Sequence, residues 1–319
     1  MFKLLNKNIY FQLALFISLL GYSIYAIFSH AILLTAENPP LLAQLFYHIL
    51  VGKEHLIQFS CIFIFIIQLI LIQLFFKRSN FSEETSLYPS IIYLALSSVL
   101  NLNIYLSVIS LVIVLFLIIL LFNIDYSAET IKKRVFISGL LIGVSFLIDK
   151  SSVLSLLFIT ISLIVNRFSR TKDVLVAVFG FVIVLIYAVA YYLFTDNIDQ
   201  LPLLFNFDHF FAFFRISEPL LVKDIVGIIF AFLLGCYCMI SLRMIYSGKL
   251  IVMRRRLFTL NISALIMVLI LLLSEVMYPI SLQYIIVLFA MYYAMIIQYK
   301  RNWLLHDILI LFTIFLLWL

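Results

Sequence analysis

KKRVFISGLLIGVSFLIDKSSVLSLLFITISLIVNRFSR, residues 132–170, sets a basic cluster at each end of a long apolar run. Lys132, Lys133 and Arg134 open it, and Arg167 and Arg170 close it. Only Asp149 and Lys150 interrupt the run, near its middle. Short loops rich in Lys and Arg stay on the cytoplasmic side of a membrane. Two such loops on one side require an even number of crossings between them. Residues 135 to 166 are therefore expected to form two short helices turning at Asp149-Lys150.

The same parity extends outward along the chain. Further basic clusters are Lys3 and Lys7, Lys77 and Arg78, Arg167 through Lys172, Arg243 through Arg256, and Lys300 with Arg301. Between them the apolar runs 9–76, 88–122, 174–242 and 257–298 must each cross twice. Residues 305 to 319 cross once more. The predicted turns fall at Asn101-Leu102-Asn103, in the polar loop 195–223, and near Ser274-Glu275 and Pro279. The expected fold is all-α: a polytopic transmembrane bundle of about eleven spans, N-terminus inside, with interfacial amphipathic helices on the outer side. It forms one integral membrane domain over residues 1–319, with outer loops 30–55 and 195–223 and no soluble domain.

Composition supports that reading. Apolar residues make up 66% and charged residues 11% of the 319, whereas a soluble domain runs nearer half and a quarter. The run from Ile9 to Phe28 is too long for a signal-peptide core and ends without a small-x-small site, so it is read as an uncleaved first span. Cys61, Cys236 and Cys238 lie inside apolar runs and read as plain buried thiols. Gly139-x-x-x-Gly143 predicts close helix packing.

No Walker loop, GxGxxG, HExxH or CxxC is present. The net charge of +6 reflects cytoplasmic loops and implies no nucleic-acid partner. No ionisable residue is expected mid-membrane, which counts against a proton-coupled transporter. Glu83, Glu84, Asp125, Glu129, Asp173 and Asp307 read as solvated charges beside cytoplasmic turns.

Glu37, Asp149 and Glu275 stand apart, at the tips of three different predicted hairpins. A carboxylate at the hydrocarbon boundary is costly unless it faces a polar cavity or a partner. Brought together, the three would make a cleft able to hold a divalent metal or act as a base toward a sugar hydroxyl. Polar residues also suit any tight interfacial turn, and Lys150 is a ready counter-charge for Asp149. After Glu37, Pro39 and Pro40 forbid a continuous helix. Leu41, Leu42, Leu45, Phe46, Ile49 and Leu50 then form one helical stripe, expected to lie along the outer surface. In the second outer loop, FNFDHFFAFFR (205–215) reads as another interfacial helix. Alternatively its aromatics contact a lipid tail or sugar face, with Asp208 beside His209, and His209 and Arg215 reaching a phosphate.

SLYPSIIYLALSS (86–98), the LIG-containing hairpin 137–169 and DVLVAVFGFVIVLIYAVAYYLFTDNID (173–199) resemble an uncharacterised family of bacterial polytopic inner-membrane proteins. The resemblance covers about residues 30 to 200 and implies a multi-pass location in the cytoplasmic membrane. The acid after the first span, the Pro-Pro-Leu and the amphipathic segment are more weakly similar to the first outer loop of GT-C glycosyltransferases. That likeness implies a polyprenyl-phosphate-linked sugar as donor, Glu37 as the reactive carboxylate, and Asp149 and Glu275 as accessory acids. The first outer loop is short here and lacks the paired acids of those enzymes. A non-catalytic partner or scaffold in an envelope or secretion assembly, or a lipid or polysaccharide transporter, remain the alternatives.

Overall fold

The computed structural model describes residues 9–29, 41–42, 45, 53–78, 87–99, 128–148, 150–165, 171–202, 237, 240–244, 251–273, 286–287 and 290–296. Among these the chain is all helical and contains no strand. The elements are α1 (Ile9–Ser29), α2 (Glu54–Arg78), α3 (Tyr88–Val99), α4 (Ala128–Phe146), a 3₁₀ turn (Lys150–Leu154), α5 (Ser155–Val165), α6 (Thr171–Phe194), a second 3₁₀ turn (Ile198–Gln200) and α7 (Ile251–Leu273).

The first three helices run up, down and up. Two side-chain bonds fix α2 antiparallel to α3: Tyr93 Oη donates to Gln68 Oε1 at 2.9 Å, and Ser90 Oγ donates to Gln73 Oε1 at 3.1 Å. At the far end of the trio, Gln12 Oε1 accepts the Leu87 backbone N–H at 3.3 Å, placing the starts of α1 and α3 side by side. Gln68 and Tyr93 are fully buried. Replacing Tyr93 with Phe removes a buried hydroxyl bond without changing the packing shape. We expect a loss of about 1 kcal/mol in a denaturant titration of purified protein.

Helices α4, α5 and α6 repeat the alternation. The break between α4, ending at Phe146, and the 3₁₀ turn, starting at Lys150, falls where charge parity puts it. α4 and α6 lie parallel and very close. A Cβ built on Gly139 would overlap the Ala177 carbonyl, and one on Gly143 would meet Val184 Cβ at 2.7 Å. From the other side, a Cβ on Gly180 would lie 2.5 Å from the Phe136 carbonyl oxygen. The glycines therefore let one backbone approach another, as the GxxxG spacing predicts. α6 stops by a local device. Asp196 is left-handed at φ 54°, and the Asn197 N–H returns to the Tyr192 carbonyl at 3.0 Å, a Schellman-type end.

One core joins these units. Ile72, Tyr93, Val135, Ile159, Leu260 and Met291, from six different helical segments, are fully buried within it. The outward surface is nonetheless apolar. On α2, Phe59, Phe63, Ile66, Ile70 and Leu74 form an exposed stripe at helical spacing. On α6, Leu175, Phe179, Val182, Ile186 and Tyr187 do the same. The interior meanwhile holds Gln12, Ser138, Ser162, Thr259 and Ser263. Among the described residues two helical stretches, Gln58–Lys77 and Lys172–Phe194, are long and apolar enough to cross a membrane.

Two expectations need correction. Lys132–Arg134 and Arg254–Arg256, read as loop charges, lie inside the first two turns of α4 and α7. Lys and Arg are good helix formers, and their alkyl stems run along apolar surface to reach water, so a helix need not end at them. Asp173, read as a solvated loop charge, is only 7% exposed in the first turn of α6. The positive end of the helix dipole offsets part of the desolvation cost of an acid at that position.

Candidate functional site

Glu37, Asp149, Glu275, Asp208, His209 and Arg215 all lie outside the described residues. What the structure supplies is the framework around two of them.

Because α4 and α6 are parallel, their C-terminal ends share one end of the bundle. A satellite core sits there, separate from the main one, built from Leu41, Phe146, Leu147, Ala188 and Tyr192. Phe146 meets Phe181 edge-on at 5.6 Å between centroids. Leu42, Leu45, Val153 and Leu201 pack around the cluster. The segment after Pro40 is anchored by its backbone as well: the Leu42 N–H donates to the Leu147 carbonyl at 3.0 Å. Leu41, expected to face the outer surface as part of an amphipathic stripe, is instead buried against protein. The α4–α6 end offers it a ready-made apolar shelf.

This contact ties together two segments that are about a hundred residues apart in the sequence. Glu37 precedes Leu42 by five residues, and Asp149 follows Leu147 by two. The described residues that stand near two of the three candidate acids in the sequence therefore meet at the C-terminal ends of α4 and α6.

The same tip carries hydroxyls that sequence reasoning missed. Ser145, in the last turn of α4, Ser152, in the 3₁₀ turn, and Ser155, at the start of α5, are at most 1% exposed. Their Oγ atoms have no hydrogen-bond partner. In helices serine hydroxyls usually return to a carbonyl three or four residues back, as Ser138 does to Arg134 at 2.8 Å. A faint signal was available: Ser138 and Ser145, and likewise Ser155 and Ser162, are seven residues apart, so each pair recurs on one helical face. Lys150 is half-buried at the start of the turn, and Asp196 and Asp199, beyond α6, are exposed.

Carboxylate, ammonium and hydroxyl side chains thus occur together in the sequence of one hairpin tip, the range of groups needed to orient a sugar or a phosphate. Among the described residues no group of three His, Cys, Asp or Glu side chains could hold a metal ion. No protein-family model, curated protein or solved structure matches the chain.

Proposed function

We propose that the chain is a multi-pass protein of the bacterial cytoplasmic membrane, with about eleven spans and its N-terminus inside, acting as a GT-C-like glycosyltransferase at the outer face. Its exposed apolar stripes support the membrane part of this reading. Alongside the apolar core, Gln12, Gln68, Ser138 and Thr259 are buried while α2 and α6 expose stripes of phenylalanine, leucine and isoleucine, which water penalises and lipid tails favour. α6, at 24 residues, is about 36 Å long, enough for a hydrocarbon core of about 30 Å with tilt.

The observation that supports the site is the Leu42–Leu147 bond, between residues five and two positions along the sequence from Glu37 and Asp149. In the proposed reaction Glu37 takes the proton from an acceptor sugar hydroxyl as its oxygen attacks the anomeric carbon of the donor. The bond from that carbon to the phosphate oxygen breaks, and the polyprenyl phosphate leaves with its negative charge. Asp149 and Glu275 assist as accessory acids. His209, held by Asp208, and Arg215 contact the phosphate.

The broad apolar flank of α6 favours a second reading, a non-catalytic partner in an envelope or secretion assembly. A glycolipid profile of a strain lacking the chain separates the two. Loss of one glycan, with build-up of its lipid-linked donor, is the expected result, and an unchanged profile rejects the enzyme. Sidedness has its own test. A thiol reagent that cannot cross the bilayer is expected to label Glu37→Cys in intact cells but neither Arg134→Cys nor Arg255→Cys. The reverse pattern overturns the topology.

A further inference from the structure

We infer that the shared N-terminal end of α4 and α6 seats an anionic phospholipid, its phosphate at the level of Lys132, Lys133 and Lys172 and one acyl chain along α6. The inference rests on the membrane part of the reading above and is independent of the enzyme.

The close crossing of α4 and α6 fixes their register. A Cβ on Gly180 would lie 2.9 Å from the Leu140 nitrogen, so positions 140 and 180 stand side by side. Eight residues earlier on each parallel helix, just over two turns, come Lys132 and Lys172, with Lys133 next to the first. All three are exposed. Three ammonium groups therefore sit at one depth. The two stretches that carry them, 128–134 and 167–173, hold six basic and two acidic residues in the sequence. One of those acids, Asp173, is buried. Clustered Lys and Arg beside a membrane-spanning helix attract anionic headgroups. A zwitterionic headgroup brings its own cation to the lysines, and an anionic one such as phosphatidylglycerol does not.

The face below the lysines says what else the ligand carries. Lys172, Leu175, Phe179, Val182 and Ile186 recur at three- and four-residue steps and are all exposed, so the ammonium heads an apolar stripe on one side of α6. Residues 174–186 contain no polar side chain. Such a stripe offers apolar contact without hydrogen bonds to fix a partner's register, which suits a fluid acyl chain. From Lys172 to Val182 is about 15 Å of helix, the depth of one leaflet. At the far end of α6 stand the exposed aromatics Tyr187, Tyr191 and Phe194. Lysine at one border and aromatic rings at the other mark a helix that faces lipid directly.

Local quenching tests the seat in full-length protein reconstituted into vesicles. Trp303 and Trp318 are replaced by Phe, and Phe179→Trp puts one reporter about 10 Å along α6 from Lys172. A lipid brominated in mid-chain quenches a tryptophan that it touches. Mixtures of brominated phosphatidylglycerol with plain phosphatidylcholine, and the converse, give the relative affinity at that position. Phosphatidylglycerol is expected to be preferred at least about fivefold, equivalent to about 1 kcal/mol, the attraction of one lysine near a membrane surface. Ile186→Trp, in the other half of the bilayer, should show nearly equal affinities. Changing Lys132, Lys133 and Lys172 together to Gln should bring position 179 to the same equality, and changing them to Arg should not. About 1 M salt should do the same to the parent, which removes any dependence on how the variants fold. Equal affinities at 179 in the parent overturn the seat, as does a preference that survives high salt or one equally large at 186. Quenching at 186 but not at 179 means that something other than lipid, such as a second copy of the chain, covers the stripe, and also overturns it. Quenching at neither position rejects the membrane reading and the seat with it. Equal quenching by both lipids leaves the membrane reading standing and removes the seat alone.

Discussion

Gly139→Leu is expected to abolish the stable bundle, whereas Gly21→Leu, on another apolar helix, should leave it unchanged. The two glycines look alike in sequence, each inside an apolar run. Around Gly21 nothing lies within 4 Å of an added Cβ. At Gly139 the added atom meets the Ala177 carbonyl carbon at 2.8 Å and its Cα at 3.1 Å. Those are backbone atoms, and no rotamer change can move them aside. The clash is relieved only by separating α4 from α6, the most extensively packed helix pair described. Overpacking that side chains can absorb costs about 1–3 kcal/mol, and a backbone collision should reach or exceed the upper end. Separating the pair would also disturb the satellite core, which takes Phe146 and Leu147 from α4 and Ala188 and Tyr192 from α6. Thermal unfolding of detergent-solubilised protein, followed by circular dichroism, checks this. A melting temperature for Gly139→Leu equal to that of Gly21→Leu contradicts the close crossing. Gly180→Leu provides the reciprocal case, since its Cβ would face the Phe136 oxygen and the Leu140 nitrogen.

The second large effect concerns chemistry. Glu37→Gln keeps the shape and polarity of the side chain but removes its ability to take a proton. If Glu37 is the base, transfer should fall by about 10²–10⁴-fold, the usual contribution of general base catalysis. Glu37→Asp, which keeps the carboxylate on a shorter stem, should retain part of the activity. The measurement is the ratio of glycolipid product to lipid-linked donor, by mass spectrometry of extracts from a deletion strain carrying each variant. An immunoblot of the membrane fraction confirms equal abundance. A Gln variant with a normal product ratio would remove Glu37 from catalysis, even with the topology intact. Asp149→Asn should act more weakly, by altering the field and orientation at the tip rather than deleting the base.

Much of the framework was legible because its causes are local or additive. The apolar runs are long, and strand-forming turn signals are absent, so helix is the only economical reading of most of them. The stop of α6 is encoded by Asp196, a residue type that tolerates a left-handed backbone. The break after Phe146 followed from the parity of the flanking basic clusters, with the Asp-Lys pair marking its place. Gly139 and Gly143 announced close packing by their spacing, although not its partner. Less legible were the polar residues that the bundle turns inward. Gln68 gives no sign in sequence that it will meet Tyr93, because the pairing depends on the register of two helices 25 residues apart along the chain. Asp173 misled for a similar reason. Beside Lys172 it reads as a loop charge, yet its burial is set by what packs over the first turn of α6.

The sequence by itself determined that this chain is helical and apolar, where several of its helices end, and which carboxylates stand beside its apolar runs. These properties depend on side-chain type and near neighbours, which the order of residues states directly. The tertiary structure decided which helices lie parallel, that Gly139 finds Ala177, and that Leu41 buries itself on the end of α4 and α6 instead of lying free on the outer surface. It also decided that the hydroxyls of Ser145, Ser152 and Ser155 are buried. Each of these rests on the relative placement of segments far apart in the chain, where an apolar residue will pack against any apolar surface and only the folded geometry selects which one.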